Sequence, residues 1–125
     1  MPKTMLTRLA LVAATLGLFS SPANATGGFL CKTAGAEKIE LSVGIGHVPG
    51  GPLIGHQLKR GERKLDTQAE QWWFNDAEMR ILLTDAKTLD RVAIMETRRQ
   101  KNRWETFDGT ITIGGQRHWI RCYES

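Results

Sequence analysis

Few side chains in this sequence are of a type that does covalent chemistry. Beyond residue 25 there are two serines, Ser42 inside an alternating stretch and Ser125 at the terminus, and two cysteines, Cys31 and Cys122. Nucleophilic catalysis needs a hydroxyl or thiol held beside a general base, and no such pairing is legible here. The 3 histidines, His47, His56 and His118, lack the i, i+4 or His-x-His spacing of zinc ligands, so no metal is expected. Asp85 with Asp90, and Glu105 with Asp108, are acids near one another in sequence. A glycosidase holds two carboxyls at a set separation across a cleft, and nothing in these spacings imposes one. Gly44-Ile45-Gly46 is followed by neither Lys-Ser/Thr nor a helical pattern, so turn chemistry accounts for it better than a phosphate loop. An enzyme is not expected, nor a cofactor.

What the residue types do supply is a recognition surface. Arg117, Trp119 and Arg121 alternate near the end of the chain, and Trp73 with Arg80 forms a second such group. Exposed aromatics beside arginines have the composition of interaction hot spots, and Trp73 with Arg80 is a candidate cation–π pair. The competing reading is that Trp119 covers a barrel end, since large aromatics are usually well buried. The basic segments at residues 59–64 and 98–103 read as solvated loops, able to favour acidic partners.

These side chains are positioned by strands. Gly114-Gly115 separates two alternating runs, and a two-residue glycine loop suits a primed hairpin turn. That turn opposes Ile113 to Gln116 and Ile111 to His118, placing Ile111, Ile113, His118, Ile120 and Cys122 on the core face. Thr110, Thr112, Arg117, Trp119 and Arg121 fall outside. Residues 38–45 alternate with Ile39, Leu41, Val43 and Ile45 on one face. Pro49-Gly50-Gly51-Pro52 then reverses the chain into a strand at 53–58. A four-residue loop at 75–78 opposes Phe74 to Met79 and Trp72 to Ile81, so Trp72, Phe74, Met79, Ile81 and Leu83 are expected to form the largest core cluster. Thr67-Gln68-Ala69-Glu70 has capping-box spacing, an equal candidate for a helical turn. Residues 91–98 form a strand whose inward face is either Val92-Ile94 or Ala93-Met95. A strand is also expected over 104–107, and Asp108-Gly109 is either a tight turn or a bulge. Seven or eight short strands with glycine turns and no long helix indicate an all-β fold, a small antiparallel β-barrel or near-closed sheet, with an open sandwich as the alternative.

Residues 1–25 are a signal peptide by pattern: Lys3 and Arg8, an apolar run over 9–19, and Ala23-Asn24-Ala25 as cleavage site. That run is too short for a good membrane span. Without Lys3 and Arg8, 15 Lys+Arg stand against 13 Asp+Glu and the formal charge falls from +4 to +2, a poor basis for binding nucleic acid. Residues 26–125 are then a single domain. In an exported chain, Cys31 and Cys122 are expected to form a disulfide tying the opening strand to the closing one, with a free nucleophilic thiol as the alternative.

With its leader, its size, an aromatic two residues before the first cysteine in Phe29-Leu30-Cys31, and a closing strand ending in Cys122, the layout resembles the small periplasmic inhibitors of C-type lysozyme. The resemblance implies a β-barrel in the bacterial envelope, and a protein partner such as lysozyme or another hydrolase. Those inhibitors carry a Ser-Gly-x-x-Tyr loop and a later Lys-Gly loop into the enzyme's cleft. Neither dipeptide occurs beyond residue 25, so no inhibitory residue carries over. The expectation is a non-enzymatic binding protein of the periplasm or secreted, an inhibitor by analogy. A small-ligand or envelope-glycan-binding barrel, with Trp72, Trp73 or Trp104 lining a cavity, is the alternative.

Overall fold

A computed structural model describes residues 27–46 and 53–125. The expected leader, His47 and the reversal at residues 49–52 lie outside them. Among the described residues nine strands follow one another: β1 Gly27–Thr33, β2 Ile39–Ile45, β3 Leu53–Arg60, β4 Arg63–Leu65, β5 Thr67–Phe74, β6 Glu78–Asp85, β7 Arg91–Arg99, β8 Phe107–Ile113 and β9 Gln116–Glu124. All pair antiparallel in one sheet, ordered β4-β3-β2-β1-β9-β8-β7-β6-β5, so the protein is an all-β, nearly closed barrel rather than a sandwich. Among the described residues no helix is long and apolar enough to cross a membrane.

Each strand pairs with its sequence neighbour except β4 and β5, which follow one another across Asp66, and β1 pairs with β9, bringing the two ends of the fold side by side. There Cys31 lies directly across from Cys122, and the two form the expected disulfide, fully buried, across a separation of 91 residues. The predicted hairpin register holds, with Ile113 opposite Gln116 and Ile111 opposite His118.

Alternation sorts the side chains into layers. One inward row runs Ile81, Met95, Ile111, and the next Met79, Thr97, Gly109, Ile120. Pairing of β7 with β6 and β8 thereby decides for Ala93 and Met95 as the buried alternation. Gly109 sits within β8, not in a turn, and a Cβ there would overlap the Glu96 carbonyl oxygen; the strands approach closely because glycine allows it. Buried Thr97 remains satisfied by donating from Oγ1 to the Met79 carbonyl at 2.9 Å. Phe29, Phe74 and Phe107 meet with centroids 5.3–5.9 Å apart and plug one end of the interior.

Several expectations are corrected. The capping-box segment at 67–70 is strand, because its register with β6, Thr67 opposite Asp85, gives its backbone ladder partners that a helical turn would forgo. Residues 59–64 are the tips of β3 and β4 around a turn with Gly61 at φ 63°, rather than a loop. Residues 104–106 are not strand, and Trp104 stands exposed in the connection before β8. Trp72 does oppose Ile81 and Phe74 does oppose Met79, yet Trp72 is 44% exposed and outside the core. As a member of the end strand β5, it has no ladder neighbour on its other side to cover it.

Candidate functional site

The outward positions of β5 to β9 carry the candidate site. The register sets Trp73 opposite Arg80, Arg80 opposite Glu96, Glu96 opposite Thr110, and Thr110 opposite Trp119. The two aromatic–arginine groups recognised separately in the sequence are therefore the ends of one cross-strand row. At about 4.8 Å per strand the row is about 19 Å long. Trp73 is 52% and Trp119 46% exposed, so both indoles present faces to solvent.

The row is flanked by two others. Gln71, Leu82, Ile94, Thr112 and Arg117 lie in register on one side, a half-apolar strip. On the other side Glu78, Arg98, Asp108 and Arg121 are opposed in turn, and the same rung continues through Lys32, Glu40, Lys59 and Lys64. A charged rung thus runs across eight strands and bounds the aromatic row along its length. Beside Trp73, the side chains of Trp72, Arg80, Leu82, Ile94 and Glu96 shape a groove of about 340 Å³.

The two ends of the row differ in rigidity. At the β9 end Arg121 donates from Nε and Nη2 to the two oxygens of Asp108 at 2.8 and 2.7 Å, and Asp108 also accepts from Thr106 Oγ1 at 2.9 Å. The Arg121 guanidinium lies 4.9 Å from the Trp119 ring centroid. Hydrogen bonds from Arg121 hold the Asp108 carboxyl below its ordinary range, against the opposing effect of its partial burial. Asp108, with help from Tyr123, holds Arg121 more firmly protonated in turn. This end is a pre-ordered aromatic–cation–acid unit. At the β5 end the expected Trp73–Arg80 stack is not among the guanidinium–ring pairs of the described residues, since Arg80 lies 3.5 Å from Glu78 instead. Arg103 stacks on Trp104 at 5.1 Å, a pair that the sequence reading missed although the two are adjacent.

Groups of catalytic type are engaged elsewhere. His56 Nε2 meets Thr67 Oγ1 at 3.0 Å. Asp85 accepts from the backbone amides of Lys87 and Thr88, which lower its pKa and make it the cap of its own turn. Glu37 is bonded to Arg60, and its second oxygen lies 3.6 Å from His118 Nε2. Among the described residues no three His, Cys, Asp or Glu side chains converge as metal ligands. No family model, no curated protein and no solved structure matches the chain.

Proposed function

We propose that this chain is an exported, non-enzymatic binding protein of the bacterial periplasm that docks on a protein partner through the outer face of β5 to β9, acting as an inhibitor of a hydrolase such as lysozyme. The observation that carries the reading is the single row from Trp73 to Trp119: two half-exposed indoles joined by about 19 Å of curved sheet and framed by a charged rung. Pre-ordering of Trp119 and Arg121 by Asp108 supports it, because a side chain already fixed loses less freedom on binding. The engagement of His56, Asp85 and Glu37 by structural partners supports a non-enzymatic role. Five of nine strands form a wall that curves around the barrel, so only part of it faces any one partner. A standard interface takes about 800 Å² per partner, so the partner reaches past the row onto neighbouring strands or the loops at the barrel ends.

Inhibition and retention assays against a panel of lysozymes and periplasmic proteases test the reading. Trp119→Ala is expected to weaken a genuine complex by about 30-fold, the loss of a hot-spot aromatic of about 2 kcal/mol. If no hydrolase of the panel is retained or inhibited, the inhibitor reading is withdrawn. A second reading, an envelope-glycan-binding surface, is supported by the groove in which Trp72 and Trp73 stand beside Arg80 and Glu96. Saturable quenching of tryptophan fluorescence by peptidoglycan fragments, abolished in Trp73→Ala but not in Trp119→Ala, would favour it.

A further inference from the structure

The end of the barrel opposite the Phe29–Phe74–Phe107 plug is built differently. Leu58 and Leu65 are a register pair facing the core, so strand alternation turns Arg60 and Arg63, also a register pair, toward the same interior at its mouth. Directly opposed like charges destabilise a strand pair. The neighbouring rung repeats the arrangement with Lys59 opposite Lys64.

One of these charges is answered within the fold. Arg60 Nε donates to Glu37 Oε1, and the second Glu37 oxygen is turned toward His118. Arg63 and Arg91 have no carboxylate partner among the described residues. Together with Arg60 they border a cleft of about 510 Å³ floored by Leu65, Val92 and Ile113, and no carboxylate lines it. Two unanswered guanidiniums over an aliphatic floor match one chemistry: fork-shaped donors receive a planar or tetrahedral oxyanion, and the floor receives carbon.

We propose that this barrel mouth binds a small amphipathic oxyanion, a carboxylate or phosphate monoester carrying an aliphatic or aromatic group. Arg63 and Arg91 clasp the anion, Arg60 is held as a fixed wall by Glu37, and Leu65, Val92 and Ile113 take the apolar part. The ligand relieves the repulsion that the β3–β4 register creates. Arg91 also borders the groove beside Trp73, whereas Arg63 belongs to the mouth alone and decides between the two.

The test is calorimetric titration of the full mature chain with hexanoate, phenyl phosphate and inorganic phosphate at low ionic strength. At least one of the two organic anions is expected to bind saturably, with the tighter of the two identifying the head group. Binding should weaken at least about tenfold in Arg63→Gln, the loss of a charge-assisted hydrogen bond, and less in Arg63→Lys, which keeps the charge without the fork. Trp73→Ala should bind as the parent does. Arg63 is exposed and faces a like charge, so Arg63→Gln should melt no lower than the parent. Absence of saturation with both organic anions, or undiminished binding by Arg63→Gln, overturns the proposal. Inorganic phosphate binding as tightly as phenyl phosphate and hexanoate overturns the role of the apolar floor.

Discussion

The barrel is closed in two places by different means. Between β1 and β9 it is closed by a ladder of five registered pairs, from Phe29–Glu124 to Thr33–Ile120, with a buried disulfide in the middle. At the other place β4, paired with β3 over three residues, runs on through Asp66 alone into β5, which pairs with β6; below that short ladder β3 and β5 are bridged by His56 and Thr67 at 3.0 Å. The seam shows the features by which sheet ends avoid pairing with other chains: β4 is 3 residues long with Arg63 and Lys64 on it, and β5 is bulged between Ala69 and Gln71. Where the termini meet, closure is a five-pair ladder with a disulfide; at the seam it is a three-pair ladder and, beyond Asp66, a side-chain bridge. The proposed anion site borders that seam, while the rigid end of the aromatic row lies on the clasp strand β9.

The largest effect that would break this contrast is loss of the clasp. The double variant Cys31→Ala/Cys122→Ala should lose about 4 to 5 kcal/mol of stability on the chain-entropy account, measured by urea denaturation. A midpoint that barely moves would mean that the β1–β9 ladder suffices alone. Next, Ile120→Ala, fully buried on β9, should cost about 3 kcal/mol, whereas Leu65→Ala, only partly buried at the seam, should cost about 1 kcal/mol. Comparable losses would erase the distinction between the two closures. Thr67→Val removes the seam's side-chain bridge and should cost about 1 kcal/mol. In the parent protein, amides of β5 should already exchange with solvent faster than those of β1 and β9.

The smallest effect is in acid. Arg121 holds the Asp108 carboxyl below its unfolded range, so its stabilising contribution is complete at neutral pH, above the unfolded value. It is lost as pH falls through the lower, folded value. Asp108→Asn should therefore flatten the acid limb of the melting-temperature profile, leave the alkaline limb unchanged, and loosen Trp119, visible as a changed emission spectrum.

Local signals in the sequence were sufficient wherever a short connection set the register. The Gly114-Gly115 turn, with φ 58° and 75°, opposes Ile111 to His118 as its two-residue length requires, and the 75–78 connection opposes Phe74 to Met79. Alternation told which side Trp72 takes but not its depth, which depends on a neighbour that the end strand β5 lacks. The choice between Val92-Ile94 and Ala93-Met95 was undecidable locally because both alternations are apolar; Ile81 and Ile111 on the flanking strands settle it. Asp108-Gly109 has turn composition, and only the proximity of β7 shows that the glycine serves close strand approach.

The sequence alone determined an all-β chain, the pairing of its two described cysteines and the outward composition of its strands, because periodicity, residue count and turn chemistry act over a few residues. Only the tertiary structure joined Trp73 to Trp119 in one row and set Arg60 and Arg63 beside Arg91. Those neighbours lie many residues apart, and strand order and register alone bring them to one face and to one end of the barrel.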